Sequence, residues 1–522
     1  MSPSRSNIVV VGGGLAGMAA AIEALYQTKE SARVTVTLLE KERRTGGNSA
    51  KASSGINGAM TQVQKRLGIK DSVEAFVRDT IESGRGRSSE TLVKRMINES
   101  TDAVSWLRNG FLLELDTVSQ LGGHSFPRTH RIPDRNGKPR PVGWEIASKL
   151  GNYLSEQAGQ TGSRFRLITE ARVTEFLTAG NGRISGLIYE TAKPGSSSIQ
   201  RHSHESDVVV LATGGFGGEG SQPKLLKKYA PDLVGLPATN GPFATGDGVL
   251  MASAVGAALV DMDQIQVHPT GFVKADDPSN PTKFLAAESL RGAGGILLNG
   301  LGKRFVNELD TRDSVTSAMA ESCSSESTRA QYRIHGSTDR GAVKTQAAAY
   351  LVLSQAAADS FGHGALGFYQ KMGLMHSASG LDGLASAIRV DLETLRQTLL
   401  SYDRAKDLKT KDDFGKTVFP QRMLNPDKPG DSYFWGVVTP SIHYTMGGVR
   451  FDQMSRVLRE SDGQPIPGLL AAGEVTGGLH GANRLAGNSL LECVVYGRRA
   501  GQYAAAEVSD QHSEKLLHRL PE

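Results

Sequence analysis

The chain has 522 residues, 61 of them glycine, with 22% charged and 39% hydrophobic residues and a formal net charge of +5. This length calls for more than one domain, and glycine exceeds its usual share of about 7%. The basic residues form no run and no apolar stretch reaches the roughly 18 residues of a membrane span, so a nucleic-acid tract and an integral membrane segment are not expected. The two cysteines, Cys323 and Cys493, fall in predicted helices and match no disulfide framework, zinc, haem or iron–sulfur spacing. The opening "MSPSRS" is too short and polar for a signal peptide. The expected compartment is the cytoplasm; a mitochondrial one would need a targeting segment beyond this sequence.

"NIVVVGGGLAGMAAAIEALYQ" predicts a strand over Ile8–Val11, a turn with Gly12, Gly14 and Gly17, and a helix with Met18, Ala21, Ile22 and Leu25 on one face. "ARVTVTLLEK" predicts a second strand that ends at Glu40. Glu40 follows Gly17 by 23 residues. The acid that binds a ribose in dinucleotide folds lies about 20 residues on. The glycines let a pyrophosphate approach the helix start, and Glu40 can accept ribose hydroxyls. NAD and FAD share this pattern. The next segment, "TGGNSAKASSGIN", is made of small and hydroxyl residues that suit backbone contact with a flat ring.

"KPGSSSIQRHSHES" at 193–206 reads as a surface hairpin loop with solvated His202 and His204. "SDVVVLATGGFGG" reads as a buried strand ending in glycines, and "ATGDGVLMASAVGA" places Asp247 at a helix mouth. Residues 265–442 differ in composition, with helical patterns such as "LETLRQTLLSYDRAK" and polar loops such as "KADDPSNPTK". They read as an inserted domain with His268 and His443 at its edges. "IPGLLAAGEVTGG" predicts a strand that ends near Glu474. In "HGANRLAGNSLLE", Arg484 lies in a loop of small residues, and Ser489 with Glu492 has the spacing of a capping box. A cation and a helix start in one loop both favour an anion.

These segments, with "HPTGF", "ESLRGAGGILLNGLGKRFVNELDTRD" and "HYTMGGV", occur in family order. They resemble the soluble, single-chain fumarate reductases of the fumarate reductase and succinate dehydrogenase flavoprotein family, closest in texture to the fungal type, over nearly the whole chain. The resemblance implies an α/β fold: a Rossmann-like FAD-binding domain (1–264 and 443–522) interrupted by an inserted α+β capping domain (265–442). It implies one FAD, held without a covalent link because "GGNSAKASSGIN" contains no histidine. FAD contacts are expected at Gly12, Gly14, Ala16, Gly17, Glu40, Lys41, Asn48, Ser49, Ser53, Ser54, Val173, Gly214, Asp247, Tyr444, Glu474, Ser489 and Leu490.

By the same resemblance, His268, His443 and Arg484 bind substrate carboxylates, and Gly55 and Gly487 lie close to substrate. Arg312 protonates the substrate after hydride transfer from flavin N5, and Glu288 and Arg291 resupply the proton. A guanidinium is a weak acid, with a pKa above about 12. A carbanion is nonetheless a far stronger base than water. Glu288 and Arg291 are three apart, so they are neighbours on a helical turn. The expected substrate pair is fumarate and succinate, with urocanate as the alternative. No metal is expected, and reduced flavin or an external donor should supply electrons. In one departure, Ala287 stands where many bacterial members have threonine bonded to a substrate carboxylate. Thr270 or His124 are candidates to supply that contact.

Overall fold

The computed structural model describes residues 6–31, 33–192, 198–218, 224–331, 346–428 and 430–517. Its first sheet runs, edge to edge, Arg456–Leu458, Pro465–Ala471, Val208–Leu211, Ser6–Val11, Val34–Leu39, Phe165–Ile168. All neighbours pair parallel except the first two strands, which pair antiparallel. "IVVV" and "VVVL" are apolar on both pleat faces, as a parallel strand covered on both sides requires. One face carries the helix Leu15–Gln27 and the long C-terminal helix from Asn488 to Leu517. They pack closely because Gly497 and Gly501 face the Ala16 and Ala20 carbonyls, where any Cβ would collide.

The other face lies under an antiparallel sheet of Ala171–Thr178, Ile184–Ala192 and Ile199–Glu205. The expected surface loop at 193–206 is therefore corrected: Ile199–Glu205 is a strand, and residues 193–197 lie outside the described residues. Its polar side chains hid it, because an exposed edge strand needs no apolar alternation. His202 stacks on Tyr189 at 4.8 Å and meets the Thr191 hydroxyl at 2.9 Å.

A second, antiparallel sheet is built between residues 265 and 445. It runs Phe284–Leu285, Ile265–Phe272, Ser432–Thr445, Ala349–Ser354, Ile296–Leu298, and His376–Ser379 also pairs with the long Ser432–Thr445 strand. In sequence it falls between Val208–Leu211 and Pro465–Ala471, which are neighbours in the first sheet. Helices cover it, among them Leu392–Leu408, which buries Leu395, Leu399 and Tyr402 and starts at an Asp391 cap on the Thr394 N–H. Cys323 lies just past the helix Arg312–Ser322 rather than inside it; Cys493 is inside the C-terminal helix, and both thiols are buried and free. Among the described residues, no helix is long and apolar enough to cross a membrane.

One charged cluster fixes the inserted half. Glu308 accepts Arg304 Nε at 2.7 Å, Arg304 Nη2 at 2.9 Å and Lys416 Nζ at 3.0 Å, and Asp412 pairs with Arg304 Nη1 at 2.8 Å. Burial would raise the Glu308 carboxyl, but Lys416 and Arg304 outweigh it and hold it down at about 2. Removing one partner strands buried charges, at a cost of roughly 3–5 kcal/mol. Glu308→Gln should lower unfolding stability by about that amount in a denaturant titration near neutral pH. A folded-state pKa of about 2 against an ordinary 4.5 puts this contribution fully in place above 4.5. It is lost as pH falls towards 2, so the variant's deficit should shrink there.

Candidate active site

The glycine turns at the ends of the first-sheet strands show two separate uses of glycine. A Cβ on Gly12 would strike the Ala212 carbonyl, and one on Gly17 would strike the Gly12 carbonyl. These two let strand, strand and helix approach one another. At Gly14 nothing lies nearer than Ser49 Oγ at 4.0 Å, and at Gly214 nothing lies within 4 Å. Those two instead leave room for a ligand. Both border a cavity of about 900 Å³ between the two sheets.

Most of the candidate residues line this cavity. From the first sheet and its loops come Gly12, Gly14, Ala16, Glu40, Lys41, Asn48, Ser49, Ser53, Ser54, Gly55, Gly214 and Asp247, and from the three-stranded sheet comes Val173. Arg312, His443, Tyr444, Glu474, Arg484, Gly487, Ser489 and Leu490 complete the set. Gly17, His268, Glu288 and Arg291 do not reach its surface. Glu40 accepts the Gly13 N–H at 2.6 Å and the Glu42 N–H at 2.8 Å, and burial still raises its pKa. Lys41 pairs with Asp247 at 3.0 Å, and Asn48 bonds Asn240 at 2.7 Å.

The wall suits an extended dinucleotide. Two helices begin on it, at Leu15 and Asn488, and first-turn N–H groups have no intrahelical acceptor. The buried Ser54 and Thr213 hydroxyls, also in the wall, lack partners among the described residues.

The inserted half contributes a chain of charged groups. Glu288 opens the short helix Glu288–Gly292 and is 1% exposed. Its Oε2 accepts Arg312 Nε at 2.8 Å, and Arg291 Nη2 lies 3.6 Å away, one turn along the helix. Its Oε1 accepts the Gly122 N–H at 2.8 Å. Burial pushes the Glu288 carboxyl up, but Arg312 and Arg291 bring it below its ordinary value. Arg312 Nη1 donates to Gln266 Oε1 at 2.7 Å, and Gln266 Nε2 donates in turn to the Arg484 carbonyl at 2.8 Å. Arg312 Nη2 has no hydrogen bond among the described residues, and Arg312 is part of the cavity wall.

His268 and His443 sit on paired strands, with ring centroids 5.0 Å apart. Register shifts around His268 interrupt the ladder there. His443 Nδ1 meets Thr239 Oγ1 at 2.7 Å, while His268 Nε2 is buried without a hydrogen bond among the described residues. Burial, and then the neighbouring Arg312, hold both imidazoles well below their usual pKa, so both are neutral without an anion.

Arg484 is 2% exposed and forms no ion pair among the described residues. Its guanidinium lies 4.4 Å from the Tyr444 ring centroid, Nη1 donates to the Leu485 carbonyl at 3.1 Å, and Nε is unpartnered. Burial, with Arg312 adding to it, lowers its pKa to about 10. The expected capping box is corrected. The helix begins at Asn488, one residue early, and Glu492 accepts from His480 Nε2 at 2.6 Å and from the Tyr444 hydroxyl. Those tertiary partners outcompete a local cap.

Sequence reasoning missed Gln266, Gly122, His480 and the structural use of Glu492. Gln266 stood two residues before His268, and a glutamine on a buried strand was the available signal. Gly122 acts through its backbone, which leaves no mark in sequence. The two proposed substitutes for a residue-287 hydroxyl are both engaged: Thr270 Oγ1 bonds the Ala286 carbonyl at 3.2 Å, and His124 Nε2 lies 3.0 Å from the Ala486 carbonyl.

Comparison with known proteins agrees with this geometry. The FAD binding domain family matches residues 7–490. "Fumarate reductase 1" of Saccharomyces cerevisiae is 42% identical over 96% of this chain and 99% of its own length. The chain belongs to the fumarate reductase flavoprotein family. "Fumarate reductase" of Schizosaccharomyces pombe is 40% identical over 96% of the chain and 90% of its own length. Among solved structures, the open conformation of a flavocytochrome c3 fumarate reductase superposes with a TM-score of 0.68 at 30% identity, covering 97% of this chain and 79% of that one. The cavity is accordingly that of an FAD-binding domain.

The glycine geometry yields a contrast. Gly17→Ala should destabilise the fold by about 1–3 kcal/mol through overpacking. Gly14→Ala should leave the apoprotein's melting temperature unchanged and lower FAD content. Flavin absorbance per chain and thermal unfolding of the apoprotein measure the two effects separately.

Proposed function

We propose that this protein reduces fumarate to succinate, with FAD bound without a covalent link. The observation that carries this is the buried, unpaired Arg484 beside neutral His443 in the wall of the FAD cavity. A cation held from water with no carboxylate of its own is a site for an anion brought by the ligand. Its planar fork matches a carboxylate, and His443 adds a donor once an anion has offset the surrounding positive charge. The flavin segment at 46–57 contains no histidine, which supports non-covalent attachment.

FAD, when bound, supplies the hydride. The residues of the chain do the rest. Arg484 and His443 orient one carboxylate, and the close approach at Gly55 and Gly487 leaves the backbone nearest the alkene. Negative charge develops on the carbon that does not receive hydride. Arg312 stabilises that charge and donates a proton from Nη2, the nitrogen left free by Glu288 and Gln266. Once Arg312 is a neutral guanidine, Arg291 gives a proton to the Glu288 carboxylate from one turn along the helix, Glu288 passes a proton to Arg312, and Arg291 recovers its own from solvent. His268 lies behind His443, with its Nε2 3.9 Å from Glu288 and no hydrogen bond to it. Closure of the inserted half over the cavity excludes water and strengthens each of these interactions.

Anaerobic turnover with a chemically reduced flavin donor tests the assignment. Fumarate should be consumed with formation of succinate, and urocanate should not be reduced. Arg312→Ala should keep FAD that acid denaturation releases, and should lose at least the roughly 10²–10⁴-fold that general acid catalysis supplies. Glu288→Gln should fold and turn over more slowly. Near-wild-type fumarate reduction by Arg312→Ala would remove it as the acid, and flavin that stays with the precipitated polypeptide would overturn non-covalent attachment.

A further inference from the structure

Tyr369 has no part in the mechanism above. It lies in the helix His363–Lys371 of the inserted half, with its ring 5.0 Å from that of Phe272, on the strand that carries His268. It is 6% exposed, yet it lines the cavity together with Ala287, Ser53 and Arg131. Its hydroxyl donates to the Leu285 carbonyl at 3.2 Å, a long bond for an O–H donor. Burial pushes the phenol up to about 12, against the pull of the Ala287 N–H and the Ser53 hydroxyl. At neutral pH it is therefore a proton-bearing donor. Ala287, beside it, presents only a methyl group.

Arg131 approaches the same wall from the FAD-binding half. Its stem passes Gly55, where a Cβ would come within 3.1 Å of Arg131 Cγ. Its guanidinium lies 5.7 Å from the Phe361 ring centroid. Nε is buried without a hydrogen bond, and no ion pair among the described residues includes this arginine. The Asp134 carboxylate, three residues on, is directed elsewhere: Oδ2 accepts the Gly364 N–H at 2.9 Å and the Ala365 N–H at 3.3 Å. The cavity thus holds a second arginine without a carboxylate, next to a phenol donor. A dianion needs two such ends, and Arg484 with His443 forms only one.

We propose that Tyr369 and Arg131 bind the second carboxylate of the substrate and so select a dicarboxylate over a monocarboxylate. The inference rests on the fumarate reductase reading and names the residues that make the site specific for it. Thr270 and His124 do not reach the cavity surface, whereas Tyr369 and Arg131 line it, and Tyr369 has only its long bond to the Leu285 carbonyl to give up.

The test compares succinate and propionate binding to the oxidised holoenzyme, read from perturbation of the flavin absorbance. Tyr369→Phe and Arg131→Gln should each reduce the preference for succinate over propionate by about tenfold, the scale of a hydrogen bond to a charged group. Flavin content and melting temperature should remain near wild type, and KM for fumarate should rise more than kcat falls. An unchanged preference in both variants would overturn the proposal, as would equal loss of both ligands. Should Tyr369→Phe fail to fold, Arg131→Gln decides, since its head group makes no ion pair that the fold could lose. Failure of the wild-type protein to reduce fumarate would remove the functional reading itself. Turnover by the wild type with variant-insensitive binding would remove this inference alone.

Discussion

Positive charge held out of water without enough negative charge to match it is the constraint on which the rest depends. Among the described residues Arg484 and Arg131 have no carboxylate partner, and Arg312 shares Glu288 with Arg291. Desolvating such groups is costly, and a neutral wall of the same shape would be more stable. The fold sustains the arrangement by surrounding it with strongly bonded parts. The Glu308 cluster balances two cations with two carboxylates, and the helix pair at Gly497 and Gly501 packs backbone against backbone. Against that frame the cavity can stay short of anions, which is what makes it select one.

The two sheets meet in a way that ties chemistry to their relative position. Glu288 belongs to the inserted half, but one of its oxygens is held by the Gly122 N–H from the other half. Gln266 likewise joins Arg312 to the loop of Arg484, 218 residues away in sequence. Arg312, Glu288 and the loop of Arg484, the proposed proton donor, relay and carboxylate clamp, are thus linked by bonds that exist only with the halves together. The setting of Glu288 therefore depends on where the two halves sit relative to one another.

Much of this was legible in the sequence because it is local. The strand, glycine turn, helix and terminal Glu40 lie within 40 residues, and each constrains its neighbours. Glu288 and Arg291 could be paired because helical spacing brings them together, and His268 and His443 marked both ends of the inserted sheet. The errors were also local. Ser489 and Glu492 have the spacing of a cap, but Glu492 is taken by His480 and Tyr444. The strand Ile199–Glu205 looked like a loop because its exposed face carries no apolar pattern. Gly122, Tyr369 and Arg131 could not be read, since their meaning lies in partners from distant segments.

The central claim is that the unpaired arginines of this cavity hold the two ends of a dicarboxylate. A crystal structure of the FAD-loaded protein with fumarate or succinate tests it most directly. The account predicts one carboxylate on Arg484 and His443, and the other on the Tyr369 and Arg131 wall. Arg312 Nη2 should then be the nitrogen nearest an alkene carbon. A ligand bound with Arg484 still free of any carboxylate, or with Arg312 remote from the alkene, would contradict it.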